Sequence, residues 1–171
     1  MERLYAVVSL LDAAHYGQVE RMYGTPFPHF SYQVAAGYDL GRLEKGLRRI
    51  ARLQPPFRVG TSGLGVFTGQ APVVYIAVVR SPELTRLHGK LWPVAERVAN
   101  GALDYYRPEH WVPHITVGGR AIRQEDVSDV VRELMHHDYH WEIEVDNLAV
   151  ISSSEADGFR LHLRVPLAGA T

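Results

Sequence analysis

Residues 27–35 read FPHFSYQVA and residues 112–120 read VPHITVGGR. Each stretch sets a histidine after a proline and a hydroxyl residue two positions later, within a run of β-forming side chains. Successive side chains of a strand point to opposite faces, so His29 and Ser31 point together, as do His114 and Thr116. The alternate positions, Phe30 with Tyr32 and Ile115 with Val117, are suited to a core. One such histidine is ordinarily a core residue bonded to backbone. Two in matched settings point to a shared task.

The flanking segments repeat as well. RLYAVVSLL (3–11) corresponds to VVYIAVVRS (73–81), and each is followed by a helical stretch, a Pro-His motif and an amphipathic helix. PFRVGTSGLGVF (56–67) corresponds to HWEIEVDNLAVI (140–151), which lays Phe57, Val59, Leu64 and Val66 on Trp141, Ile143, Leu148 and Val150. The histidines are 85 positions apart and these later strands 84, so one residue has been gained or lost between them. Duplication is the economical reading. It predicts one domain over 1–171, with pseudo-two-fold lobes from repeats of about 1–71 and 72–167, whose equivalent strands can face each other.

Periodicity and turn residues fill in the remaining elements. Strands are expected over 3–11 and 28–36, and helices over 13–24 and 39–53. A hairpin of 57–67 and 73–81 crosses TGQAP, and a second, of 141–153 and 159–167, crosses SEADG. Ser81 and Pro82 open a helix that runs to about 100, with Pro93 kinking or interrupting it. A strand over 111–119 and a helix over 122–137 complete the chain.

Composition narrows the function. With 171 residues, 46% hydrophobic and 22% charged, the chain can bury a sizeable core. It has no cysteine, which excludes disulfides, thiolate metal sites and a cysteine nucleophile. Its first apolar run is too short to span a bilayer and has no basic start or small-residue cleavage site, so a cytoplasmic protein without a membrane partner is expected. Net charge is −1 but unevenly spread: residues 1–72 hold 8 Lys/Arg against 5 Asp/Glu, and residues 73–171 hold 10 against 14. GRLEKGLRRIARLQPPFR (41–58) supplies Arg42, Lys45, Arg48, Arg49, Arg52 and Arg58. A solvated helix face is the plain reading of these cations; a contact surface for a polyanion is the other.

Other features carry less. MHHDYH (135–140) looks like a metal cluster, but it falls at an expected helix end, where cationic histidine suits the dipole, and adjacent His136 and His137 diverge. No metal is expected. GTSGLGVFTG (60–69) lacks the Gly-Lys-[Ser/Thr] of a P-loop. Tyr32, Tyr38, Phe67, Tyr106 and Trp111 could stack bases if they line a cleft, although large aromatics also fill cores. His15, His88 and His162 have no evident partner.

Two imidazoles and two hydroxyls converging on one cleft can carry out in-line displacement at phosphorus. A neutral histidine takes a proton from the attacking water or hydroxyl, and a charged one gives a proton to the leaving oxygen. An unperturbed pKa of about 6.5 lets either form exist near neutrality. Ser31 and Thr116 can hydrogen-bond the non-bridging oxygens as charge builds there. No cofactor is required.

The doubled motif, HFSY and HITV in repeated strand context, resembles the 2H phosphoesterase superfamily, which includes the 2′-5′ RNA ligase-like proteins. The resemblance covers nearly the whole chain. It implies an α+β bilobal fold with two antiparallel β-sheets forming a central cleft and helices on the outside. It implies metal-independent chemistry on 2′,3′-cyclic phosphates or 2′-5′ linkages, with RNA or a small nucleotide as partner; no protein partner is expected. By the same resemblance His29 and His114 are the catalytic pair and Ser31 and Thr116 the phosphate-binding hydroxyls, with Ser31 standing where Thr is commoner. In some relatives the second motif runs directly into an arginine; here two glycines intervene, and Arg120 is a further candidate phosphate ligand. The alternatives are an RNA-end-binding module without turnover, and a phosphodiesterase for a small non-RNA cyclic nucleotide or ADP-ribose derivative.

Overall fold

The computed structural model describes residues 3–23, 26–118 and 122–169. Its elements run β1 (Leu4–Leu10), α1 (Ala13–Tyr23), β2 (His29–Tyr38), α2 (Leu40–Leu53), β3 (Phe57–Phe67), β4 (Val73–Val78), α3 (Pro82–Glu96), β5 (Ala99–Ala102), β6 (His114–Gly118), α4 (Val127–Leu134), β7 (Glu142–Val145), β8 (Asn147–Ser154) and β9 (Gly158–Pro166). Single 3-10 turns lie at Asp104–Tyr106 and Gln124–Asp126. The strands form two antiparallel sheets, ordered β5-β2-β1-β8-β9 and β6-β4-β3-β7. The fold is α+β, as the resemblance implied.

The two sheets exchange strands between the sequence halves. β8 and β9 complete the sheet begun by β1 and β2, while β3 completes the sheet of β4 and β6. Within the second sheet the two sequence halves are joined where β3 pairs with β7, and there Val59 lies opposite Ile143, with Arg58 opposite Glu144 and Gly60 opposite Glu142. Val59 and Ile143 are the residues that sequence comparison equates. An antiparallel pair of equivalent segments is related by a local two-fold between them, so these neighbours sit on that axis.

Each sheet has one face packed on helices. α2 starts at Asp39, whose side chain accepts from Arg42 N at 3.1 Å, a cap worth about 1 kcal/mol. Its Leu43, Leu47 and Ala51 share a core with Leu84, Leu87 and Leu91 of α3 and with Val7, Phe30, Tyr32, Leu148 and Val150 of the first sheet. Fully burying each of these leucines contributes about 1.5–3 kcal/mol. The other face of that sheet carries a separate cluster of Ala6, Val8, Leu10, Val34, Ala149 and Ile151. That second face is the one to which His29 and Ser31 belong, because Leu10 pairs with His29 and Val8 with Ser31.

Several sequence expectations shift here. The helix expected to reach residue 100 ends at Glu96, one turn beyond Pro93, and the next residues form β5, an edge strand on β2. The strand expected over 111–119 begins only at His114. The helix expected over 122–137 is a 3-10 turn followed by α4, ending at Leu134. The run 141–153 breaks at Asp146 into strands of different sheets. The correspondence of 3–11 with 73–81 is three residues out of step: Leu10 faces His29 as Ala77 faces His114.

Candidate functional site

β2 and β6, one from each sheet, come into contact with each other. Trp111, just before β6, donates from Nε1 to the carbonyl of Ser31 at 2.9 Å and so ties one motif to the other. The prolines play matching parts: Pro28 O accepts from Leu11 N at 3.0 Å and Pro113 O from Val78 N at 3.1 Å.

The histidines are held alike. His29 Nδ1 lies 2.6 Å from the carbonyl of Phe27, and His114 Nδ1 lies 2.8 Å from the carbonyl of Val112. A carbonyl only accepts, so each Nδ1 carries the proton and donates it. Nε2 is therefore the titrating atom of both rings. For His29 the acceptor sits on a left-handed residue, Phe27 at φ 52°, a conformation that costs a non-glycine residue on the order of 1 kcal/mol. The backbone is bent there to present that carbonyl.

On β6 the alternation is clean: Ile115 and Val117 are buried, while His114 and Thr116 are half-buried. β2 is covered on both sides from Phe30 to Ala35. Its pairing with β1 passes from Val8–Ser31 to Val7–Gln33, a bulge at Tyr32. The bulge resets the alternation, so Val34 rather than Gln33 joins the cleft-side cluster.

Aromatic rings line the cleft unequally. His114 has Phe67 at 4.8 Å and near-perpendicular, Tyr75 at 5.3 Å and Tyr106 at 6.5 Å. His29 has Phe159 at 6.5 Å. The Tyr75 ring lies flat over its cross-strand partner Gly65, where a Cβ would come within 2.3 Å of the ring. Gly65 thus makes room for the wall beside His114.

Burial lowers the pKa of both histidines. For His29, desolvation outweighs the Phe27 hydrogen bond, and the charge of His114 lowers it further, down to about 4. For His114, desolvation again outweighs the bond to Val112 and the value falls below the usual 6.5. Both rings are therefore neutral at pH 7 without a ligand, and a bound anion would favour protonation of one of them.

The structure thus brings His29, Ser31, His114 and Thr116 onto two adjoining strands, with each histidine and its hydroxyl on one face. Arg120 lies outside the described residues. Among the five aromatics considered from sequence, Phe67 and Tyr106 stand by His114, whereas Tyr32 and Trp111 are buried in the core and Tyr38 is occupied by a hydrogen bond to Gln33 at 3.0 Å. Tyr75, Phe159 and the Phe27 carbonyl were not singled out from sequence. Tyr75 was within reach, since VVYIAVV alternates and puts it opposite to Val74 and Ile76. His88 is a core residue stacked on Trp111 at 3.9 Å, with Nε2 2.9 Å from Tyr32 O. His15 pairs with Asp12 at 2.6 Å, and His162 with Ser152 at 2.8 Å. Among the described residues no three His, Asp or Glu side chains are grouped to hold a metal ion, and no helix is long and apolar enough to cross a membrane.

Comparison with known proteins gives a consistent answer. A protein of Bacillus cytotoxicus, provisionally named a phosphoesterase, is 26% identical over 79% of this chain and 76% of its own. One of Geobacillus kaustophilus, named in the same way, is 30% identical over 75% of this chain and 71% of its own. A crystal structure of a Thermus thermophilus protein superposes with a TM-score of 0.67 at 17% identity, covering 98% of this chain and all of that one (100%). Escherichia coli LigT complexed with 3′-AMP gives 0.59 at 20% identity, over 97% of this chain and 98% of LigT, and its complex with NADP+ gives 0.58 at 19% identity, over 98% of each. The family model described as the 2′-5′ RNA ligase superfamily matches residues 11–157, and the chain belongs to that superfamily of phosphoesterases.

Proposed function

We propose that this protein is a metal-independent phosphoesterase that opens 2′,3′-cyclic phosphates of RNA ends or nucleotides, or cleaves or joins 2′-5′ linkages, or does both, with His29 and His114 as the acid–base pair. The observation that carries this reading is the doubled Nδ1-to-carbonyl contact, which fixes both rings in one tautomer with Nε2 as the reacting atom. The nucleotide complexes of LigT support nucleotides as the ligand class.

The surroundings divide the roles. His114 is the acid: Phe67 and Tyr75 stand within cation–π reach and offset part of the desolvation of its imidazolium, and its charge is one of the causes that keep His29 neutral. His29 is the base. In the cyclic case water attacks phosphorus, and its proton passes to His29 Nε2. The P–O bond to one ribose oxygen breaks with its electron pair, and that oxygen takes the proton from His114 Nε2. A phosphomonoester remains on the other ribose oxygen. Ser31 and Thr116 donate to the non-bridging oxygens as charge builds. Arg120 joins them on its sequence position alone.

The test is turnover of 2′,3′-cyclic nucleotides, a 2′-5′-linked dinucleotide and a cyclic ADP-ribose derivative by EDTA-treated protein. The expected result is turnover of either or both of the first two without added metal. No turnover in any lane, or turnover of the ADP-ribose compound alone, would overturn the reading.

A further inference from the structure

The cleft leaves the arginine-rich helix unused. On α2, Arg42, Lys45, Arg49 and Arg52 recur at steps of three and four, so they form one stripe along the helix. The stripe borders the buried line of Leu43, Leu47 and Ala51 and therefore runs beside α3. There α2 and α3 touch closely, because a Cβ on Gly46 would stand 2.4 Å from Val94 Cγ1. Arg97, capping α3, closes the far side of a groove of about 410 Å³ that these five cations line.

No carboxylate lines this groove. Among the described residues none of the five cations is in an ion pair, whereas their neighbours are: Arg48 holds Glu44 at 2.7 Å, Arg107 reaches Glu96 at 3.4 Å, and Arg58 holds Glu142 at 2.6 Å. Five cations so grouped repel one another until an anion arrives. The stripe spans about 15 Å at 1.5 Å per residue, enough to follow several phosphates of a chain. The groove is open and its lining has no aromatic ring, which suits a backbone rather than bases. It also faces away from the histidines, since α2 and α3 cover the face of the sheet opposite Val8 and Leu10.

We propose that the α2–α3 groove binds the phosphodiester backbone of RNA, giving the enzyme a second, sequence-independent hold on a polymeric substrate. The choice of RNA as occupant rests on the function proposed for the cleft. A free mononucleotide in the cleft could not reach the groove, so its effect would be confined to chains.

The experiment titrates a fluorescent single-stranded oligoribonucleotide of about 20 residues, ending in a plain 3′-hydroxyl, into the full chain from 50 to 200 mM salt. It compares wild type, Arg49→Gln/Arg52→Gln/Arg97→Gln, and a control of matched charge at ion-paired arginines outside the groove, Arg48→Gln/Arg58→Gln/Arg132→Gln, with circular dichroism as the check on folding. The triple variant should lose about tenfold or more in affinity, and its salt slope should shrink by about 2. The control should lose less, and turnover of a cyclic mononucleotide should be unchanged in both. Equal binding by the triple variant and wild type overturns the proposal, as does the absence of binding by wild type, which would leave the cleft reading intact. Groove-dependent binding without mononucleotide turnover supports the groove while the cleft reading fails. A poly-glutamate chain bound as tightly as the oligonucleotide would overturn RNA in favour of an acidic protein partner.

Discussion

β2 and β6 carry the same four-residue motif in different surroundings. β6 is an edge strand with one buried face. β2 is flanked by β1 and β5 and is buried on both faces through its middle. The motif itself fixes what is common, a ring whose Nδ1 donates to the carbonyl two residues back. The surroundings fix what differs. His29 is the more strongly desolvated and is held by a carbonyl on a left-handed residue, whereas His114 stands among three aromatic rings. A repeated motif can thus supply two like groups, while packing sets them apart in burial and surroundings, the difference on which the proposed division into base and acid rests.

The largest effect that can break this comparison is kinetic. His29→Ala and His114→Ala should each lower turnover by about 100-fold or more. With the proposed roles, kcat/KM in wild type should require neutral His29 and protonated His114. It should fall as pH drops through about 4, where His29 protonates, and fall as pH rises through a value below 6.5, where His114 loses its proton. Bound substrate carries negative charge and favours the imidazolium, so the bell in kcat should lie at higher pH than that in kcat/KM. His29→Ala should abolish the acid limb and His114→Ala the basic limb. The opposite assignment of limbs would reverse the roles.

Next in size is the link between the strands. Trp111→Phe removes the donor to the Ser31 carbonyl and part of a buried ring, a loss of about 2 kcal/mol by urea unfolding. It should also lower kcat by about tenfold, because the two histidines lose their mutual placement. Trp92→Phe, buried on α3 and meeting Trp111 through His88 (6.0 Å from Trp92 and 3.9 Å from Trp111), leaves that bond in place and should cost stability with a much smaller change in kcat. If the two variants lower kcat equally, the bond between the motifs has no positioning role.

The sequence makes local features legible and leaves long-range ones obscure. Alternation in HITV is enough to place His114 with Thr116, and the match of Val59 with Ile143 finds residues that pair across the local two-fold. Ser81 marks a helix start because a cap is a contact within one turn. By contrast, the break at Asp146 is decided by which sheet has a free edge, and β5 exists because β2 offers one. Neither edge is visible along the chain. The bulge at Tyr32 is likewise hidden, so alternation that holds for His29 and Ser31 fails at Gln33. The Phe27 carbonyl escapes notice because its part is played by backbone, to which residue type gives little clue.

The smallest expected effects concern the hydroxyls, and they probe the same contrast between the strands. Ser31→Ala and Thr116→Val should each lower kcat/KM by about 2–12-fold, the worth of one hydrogen bond of 0.5–1.5 kcal/mol. Exchanging the two residue types sharpens the point. Ser31 is only 8% exposed and lies opposite Val8, so a methyl added by Ser31→Thr enters packed space and should destabilise the fold by about 1–3 kcal/mol. Thr116 lies on the open face of β6 opposite Tyr75, and Thr116→Ser keeps the hydroxyl while removing a half-exposed methyl. It should change kcat/KM by less than about threefold and stability by less than about 1 kcal/mol. Serine in the first motif is then explained by room: the strand covered on both sides cannot hold the extra methyl, and the edge strand can. Equal tolerance of both exchanges in urea unfolding and in kcat/KM would refute that explanation.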